Sequence, residues 1–197
     1  MEYNMLHRKE RLIITAIAII DELGIQRLST REIAKRQGVS EATLFRHFKN
    51  KNELLIAVLE HFSKFDDDIF QSIKFKKLTS KEAITYFITS HVEYFENYPA
   101  ITSIMHSFDI LRYEPELAEK VNSILNSQTD AIKQLIEKAQ DAGEISLDAD
   151  SENLSILIVG FCREICLKWR LGGQKFSLRE RTLSTLKMVL EAFSQVK

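Results

Sequence analysis

The chain has 197 residues, 45% of them hydrophobic, with 27 Lys and Arg set against 28 Asp and Glu; that length holds one large domain or a small head on a larger body, with a real core either way. Only two cysteines occur, which excludes a disulfide-stapled scaffold and fits a reduced compartment. The segment MEYNMLHRKERL is charged ahead of the first apolar run, and 12–20 is too short to cross a bilayer, so we expect a cytoplasmic protein with no signal, anchor or membrane partner.

The net charge of −1 hides an asymmetry. Residues 1–52 carry 10 basic against 6 acidic side chains, a balance of +4, whereas 53–197 carry 17 against 22, a balance of −5. A basic head on an acidic body is the footprint of a nucleic-acid contact confined to one end.

In chain order, Leu12, Ile13, Ala16, Ile17, Ile20 and Leu23 recur at three and four, predicting a helix over 8–23 that Gly24 ends. The stretch 29–55 carries more. Thr30 is expected to N-cap a helix over 31–37, Gly38 to take the left-handed turn conformation, and Ser40 to cap a second helix over 41–48. Ile33, Ala34, Val39, Leu44 and Phe48 then face inward and leave Arg31, Lys35, Arg36, Arg46, His47, Lys49 and Lys51 outside. Two short helices at a steep angle, the second exposed and basic, make a helix-turn-helix, whose second helix enters a major groove.

Within that second helix Glu41, Ala42, Thr43, Phe45, Arg46 and His47 are the non-core positions. Ala42 and Thr43 are small enough for close approach and for thymine methyls, Arg46 suits guanine or phosphate, and His47 and Lys49 suit phosphate. Asn50 and Glu53 form a capping box that opens the next helix with Lys51 in its first turn, where the helix dipole disfavours a cation. That placement points to a DNA phosphate in front of Lys51.

The run TREIAKRQGVSEATLFRHFKNKNELL, preceded by a helix ending Glu22-Leu23-Gly24, resembles the N-terminal domain of the TetR family of bacterial transcriptional repressors. The resemblance covers about 8–55 with its spacing intact; the rest is similar to the family only as a string of helices. It implies a homodimer that binds double-stranded DNA at an inverted-repeat operator and answers to a small-molecule effector. Phe45 departs from the pattern, standing where many members have Tyr, so a hydroxyl-to-phosphate bond is unavailable and an apolar groove contact takes its place.

Beyond residue 53 the apolar pattern runs on through Leu54, Leu55, Val58, Leu59, Phe62, Phe65, Ile69 and Ile73, predicting one long helix that joins head to body without a flexible spacer. Further helices are predicted at 80–97, opened by the Thr79/Glu82 capping box; at 99–111; from Pro115 to Gly143; at 152–171; and from the Ser177/Glu180 capping box to Phe193. The expected fold is all-α with about nine helices, a three-helix head at 1–53 and a ligand-sensing, dimerising body at 54–197.

The helix at 152–171 is apolar nearly all round, with only Gly160, Glu164 and Lys168 on its polar stripe, as for a helix packed on its own domain and on a partner. In the family the last two helices form a four-helix bundle with a second subunit. Phe161, Ile165, Trp169, Leu183, Leu186, Leu190 and Phe193 are the expected interface.

Two polar residues interrupt apolar stripes, His91 on 84–95 and Gln128 on 121–135. Either they satisfy each other or a backbone group, or they fix the polar end of a largely apolar ligand in a cavity walled by Phe62, Phe65, Tyr86, Phe87, Tyr94, Met105, Phe108 and Trp169. No cofactor, metal or catalysis is expected. The histidines His7, His47, His61, His91 and His106 are dispersed, and neither HExxH nor a Gly-rich phosphate loop occurs. Cys162 and Cys166, one turn apart, read as buried small residues or as two redox or metal ligands. An effector-free, nucleoid-associated protein of the same fold is the alternative function, and a completely filled body would favour it.

Overall fold

The computed structural model describes residues 3–194, with side chains described from Arg8 onward. Among these residues every regular element is helical: α1 Tyr3–Leu23, α2 Thr30–Arg36, α3 Glu41–Phe45, α4 Lys51–Phe75, α5 Ser80–Asn97, α6 Thr102–Met105, α7 Phe108–Leu111, α8 Pro115–Asp141, α9 Ser151–Leu171 and α10 Leu178–Ala192. Short 3-10 turns lie at Ile25–Arg27 and Pro99–Ile101, and Ile145 and Ser194 form an isolated β-bridge.

The chain forms two compact units, Met1–Phe65 with Tyr98–Ser123, and Asp66–Asn97 with Ile124–Lys197. The first is organised on Leu12, Ile17, Ile19, Ile33, Leu44, Leu54 and Ile101, all essentially shielded from solvent. The second is centred on Ile84, Ile132, Ile136, Ile145, Ile158 and Leu186. In it α10 packs on both α5 and α9.

Local signals fix most helix starts. At α5 both halves of the capping box form, Thr79 N–H donating to Glu82 at 2.8 Å and Glu82 N–H to the Thr79 hydroxyl at 3.3 Å. Asp150 caps α9 through Asn153 N–H, and Ser177 caps α10 through Glu180 N–H.

The predicted helix at 99–111 is instead three pieces, which takes the α-helix count to ten among the described residues. The hydroxyls of Thr102, Ser103 and Ser107 donate to the carbonyls of Pro99, Ala100 and Ser103 at 2.7 to 2.8 Å. Such back-bonding competes with the helical ladder and bends the chain.

Candidate DNA interface and ligand site

The helix-turn-helix is built by three caps and one glycine. Ser29, not Thr30, caps α2, its hydroxyl accepting from Glu32 N–H. Thr30 is the first helical residue, and its hydroxyl donates across the turn to Glu41 at 2.8 Å. Gly38 has φ +63°, the left-handed value a side chain disfavours. Ser40 caps α3 by accepting from Thr43 N–H, and Asn50 caps α4 by accepting from Glu53 N–H at 2.8 Å. Glu53 in turn accepts from Lys49 N–H.

Helix α3 ends at Phe45, three residues short of the predicted end. Phe48 must turn inward, where it is 1% exposed, and the Asn50 cap starts α4 two residues later, so 46–48 leave the helix as a turn. Two bonds brace the unit against α1: Gln37 Nε2 donates to the Thr15 hydroxyl at 2.6 Å, and Arg36 pairs with Glu22 at 2.7 Å.

Outward from this frame stand Arg31, Glu41, Ala42, Arg46, Lys49 and Lys51, all exposed, with His47 half-buried. Phe45 is 47% exposed, a large apolar ring facing solvent on a DNA-type surface. Thr43 corrects the sequence expectation. It is 8% exposed and its hydroxyl is engaged by Ser40 and by Arg46 Nη2 at 3.1 Å. At the third position of so short a helix the side chain folds back on the cap instead of projecting forward.

The second unit holds a buried polar cluster that the sequence only half discloses. His91 Nε2 donates to Asp66 Oδ1 at 2.6 Å, Gln128 Nε2 donates to Asp66 Oδ2 at 2.8 Å, and Arg163 Nη2 donates to Gln128 Oε1 at 3.1 Å. His91 and Gln128 are thus satisfied through a shared carboxylate, not through each other. Burial pushes the Arg163 guanidinium down from its ordinary value, opposed by the Asp66 charge; burial, then Asp66, pushes the Tyr94 phenol up.

Sequence reasoning does not reach Asp66 or Arg163. Asp66 opens the acidic triplet 66–68, which looks like a solvated face, yet it follows Phe62 by four and precedes Ile69 by three, on the apolar stripe. An aromatic row leads from the cluster: Phe70 stacks on Phe87 at 4.8 Å, Phe87 lies 4.5 Å from the His91 ring, and His91 meets Phe95 edge-on at 5.7 Å. Outside Phe70 a groove of about 700 Å³ is lined by Asp67, Ile73, Lys74, Ala131, Leu135 and Lys138.

The expected pocket residues are drawn from both units. Phe62 and Phe108, edge-to-face at 5.7 Å, belong with Phe65 and Met105 to the first unit; Phe87, Tyr94 and Trp169 belong to the second. Tyr86 is not an inner wall. It lines a surface groove between α5 and α10, with Lys76 Nζ 4.9 Å over its ring.

The residues of the expected interface differ in burial. Trp169, Leu186 and Leu190, at 3%, 1% and 6% exposure, are core of their own chain, because α10 buries this stripe in the unit it shares with α5 and α9. Phe161, Ile165, Leu183 and Phe193 are half-buried. Further apolar residues are exposed on the same helices: Ile156 at 54% and Leu157 at 46% on α9, beside Gly160, and Met188 at 67% on α10.

Cys166 is buried, and burial pushes the Cys162 thiol up to about 12, which makes it a poor nucleophile or ligand at neutral pH. Among the described residues no helix is long and apolar enough to cross a membrane. His7 lies outside the described side chains.

Residues 12–58 match the family model described as "Bacterial regulatory proteins, tetR family", and residues 58–192 match "YsiA-like protein, C-terminal region". The fatty acid metabolism regulator protein of Bacillus subtilis (strain 168) is 26% identical over 181 residues, covering 91% of this chain and 92% of its own. The nucleoid occlusion factor SlmA of Actinobacillus pleuropneumoniae serotype 5b is 22% identical, covering 88% and 85%. Among solved structures, the transcriptional regulator FadR from Bacillus subtilis in complex with stearoyl-CoA superposes with a TM-score of 0.82 at 25% identity, covering 93% of this chain and 98% of that one.

Proposed function

The chain belongs to the TetR family of bacterial regulatory proteins and is a DNA-binding transcriptional regulator; from that premise we propose that it is a homodimeric repressor released from an inverted-repeat operator by a long-chain acyl thioester of coenzyme A. The observation that carries the DNA half is the capped α3, with Ala42 and Phe45 exposed on it and Arg46 exposed at its C-terminal cap. Residues 1–53 act as the reading head, and the remainder senses and dimerises.

The effector half is supported by the stearoyl-CoA in the similar FadR structure and by the second unit's own chemistry. The aromatic row at Phe70, Phe87 and Phe95 suits an alkyl chain, and the Asp66, His91, Gln128 and Arg163 cluster is where its polar end finds partners. Ligand binding favours the arrangement with lower DNA affinity, and α4, which starts at the Lys51 phosphate contact and ends at Phe75, carries the shift. The dimer forms on the exposed face of α9 with α10, burying on the order of 2,000 Å² or more in total.

Titrating stearoyl-CoA against the protein–operator complex tests this reading. Operator affinity should fall at least about tenfold, a coupling of about 1.4 kcal/mol, and His91→Leu or Gln128→Leu should blunt the fall while operator binding without ligand persists. Unchanged affinity with stearoyl-CoA would turn the reading toward effector-independent DNA binding, the second reading, which the similarity to SlmA favours.

A further inference from the structure

We propose that Arg8 and Lys9, at the start of α1 and outside the helix-turn-helix, join His47 in a cradle for one DNA backbone phosphodiester per head. The inference rests on the DNA-binding assignment and adds two residues from outside the motif, Arg8 and Lys9, to the phosphate contact expected at His47.

The first observation is an unused donor. Arg8 Nε is shielded from solvent and has no hydrogen-bond partner among the described residues, although a guanidinium can neither shed its charge nor accept a bond. The shielded Nε does not itself meet DNA, but the half-buried side chain keeps its full positive charge, and that charge acts on His47. The second is its company. Lys9 Nζ sits 5.4 Å over the Phe48 ring, which anchors the ammonium beside the turn that follows α3. Glu10, the adjacent acid, acts on His61 of α4 instead, and neither Arg8 nor Lys9 is in an ion pair with a carboxylate that the structure describes.

The cations converge on His47. The charged groups acting on its imidazole are Arg8 and Lys9 from α1 and Arg46 from its own segment, all of one sign, and burial followed by these three charges holds it below its ordinary value. Like charges gathered without a counterion are costly, and a phosphate among them removes the cost. A phosphodiester fits better than an isolated phosphate ion, because Lys49 and Lys51, both exposed, follow His47 in the chain and extend the run of cations.

The cradle has a linked consequence. In free protein His47 is held low, and among the described residues the charges acting on it are all positive, so a bound phosphate raises its proton affinity and DNA binding takes up a proton. A group whose bound-state value exceeds its free-state value strengthens binding at low pH, and the gain is lost as pH rises through the bound-state value. Affinity should therefore rise on acidification, with uptake of at most one proton per head.

The test uses the full chain and a random-sequence duplex, because a bond to phosphate is independent of sequence. Fluorescence anisotropy across salt and pH is compared for wild type, Arg8→Gln/Lys9→Gln, Arg8→Lys and His47→Gln. We expect the double variant to bind more weakly at low salt, with a log–log salt slope shallower by about 0.9 for each phosphate that is no longer neutralised. The pH dependence should vanish in His47→Gln, and Arg8→Lys should restore most of the slope. An unchanged salt slope in the double variant overturns the cradle. Should that variant melt early, Lys9→Gln, whose side chain is exposed, decides alone: a shallower slope supports the cradle and a wild-type slope overturns it. Wild type that binds no duplex at low salt defeats the DNA-binding reading itself, whereas wild-type binding with unaffected variants defeats only the cradle.

Discussion

Asp66→Ala should destabilise the protein by about 3 to 5 kcal/mol, the cost of removing one partner from a buried ionic cluster. The Asp66 side chain is 7% exposed and its two oxygens hold His91 at 2.6 Å and Gln128 at 2.8 Å. Removing it takes the acceptor from His91 Nε2 and from Gln128 Nε2, and takes from the Arg163 guanidinium, which donates to Gln128, the Asp66 charge that favours it. Asp66→Asn keeps an acceptor of the same shape and should cost about 1 to 3 kcal/mol, the range for one unsatisfied or weakened buried bond. Urea unfolding of the three proteins reads both numbers. A loss below about 1 kcal/mol for Asp66→Ala would mean that water or a rearranged Gln128 replaces the carboxylate freely, and the cluster would then be no clasp between α4, α5 and α8.

The second large effect concerns the dimer. Leu157→Glu should leave a folded monomer whose operator affinity is lower by on the order of 10² to 10⁴, because two linked heads bind with an effective concentration that one head lacks. Leu157 is 46% exposed beside Ile156 and Gly160, so a charge there is tolerated by the single chain and expelled by a partner. At Gly160 a Cβ would meet nothing within 4 Å, leaving room for a second helix to approach closely. Leu186→Glu should behave differently, unfolding the second unit, since Leu186 is 1% exposed and buried within its own chain. Sedimentation velocity with thermal melting separates the two outcomes. Persistence of a dimer in Leu157→Glu would move the interface to another face.

The head is legible in the sequence because its signals are local. Ser40, Gly38 and Asn50 each act within three residues, and each takes the role its side chain or lack of one dictates. Thr30 misleads because Ser29 beside it can cap equally well, and only the hydrogen bond to Glu41 shows where Thr30 is spent. Thr43 misleads because helical periodicity assumes a helix long enough to have faces, and α3 is five residues long.

In the body the limits are of another kind. The stripes carrying His91 and Gln128 can be read, but their common partner lies 25 and 62 residues away in sequence, hidden in a run of three aspartates. An all-round apolar α9 announces two buried faces without saying which belongs to the chain itself. That requires the position of α5, against which α10 spends Leu186 and Leu190. The break at 102–107 depends on which hydroxyls choose backbone carbonyls, a competition too close for propensity to decide.

The most direct test of the regulator assignment is selection of bound duplexes from a random library by the purified full chain, followed by sequencing. The account predicts enrichment of one inverted repeat whose half-sites are centred about 34–36 Å apart or modestly more, as two symmetry-related heads in successive major grooves require. Base preference should be lost in Arg46→Ala while binding to random duplex survives. Recovery of no common sequence, with wild type and Arg46→Ala binding all duplexes alike, would contradict it.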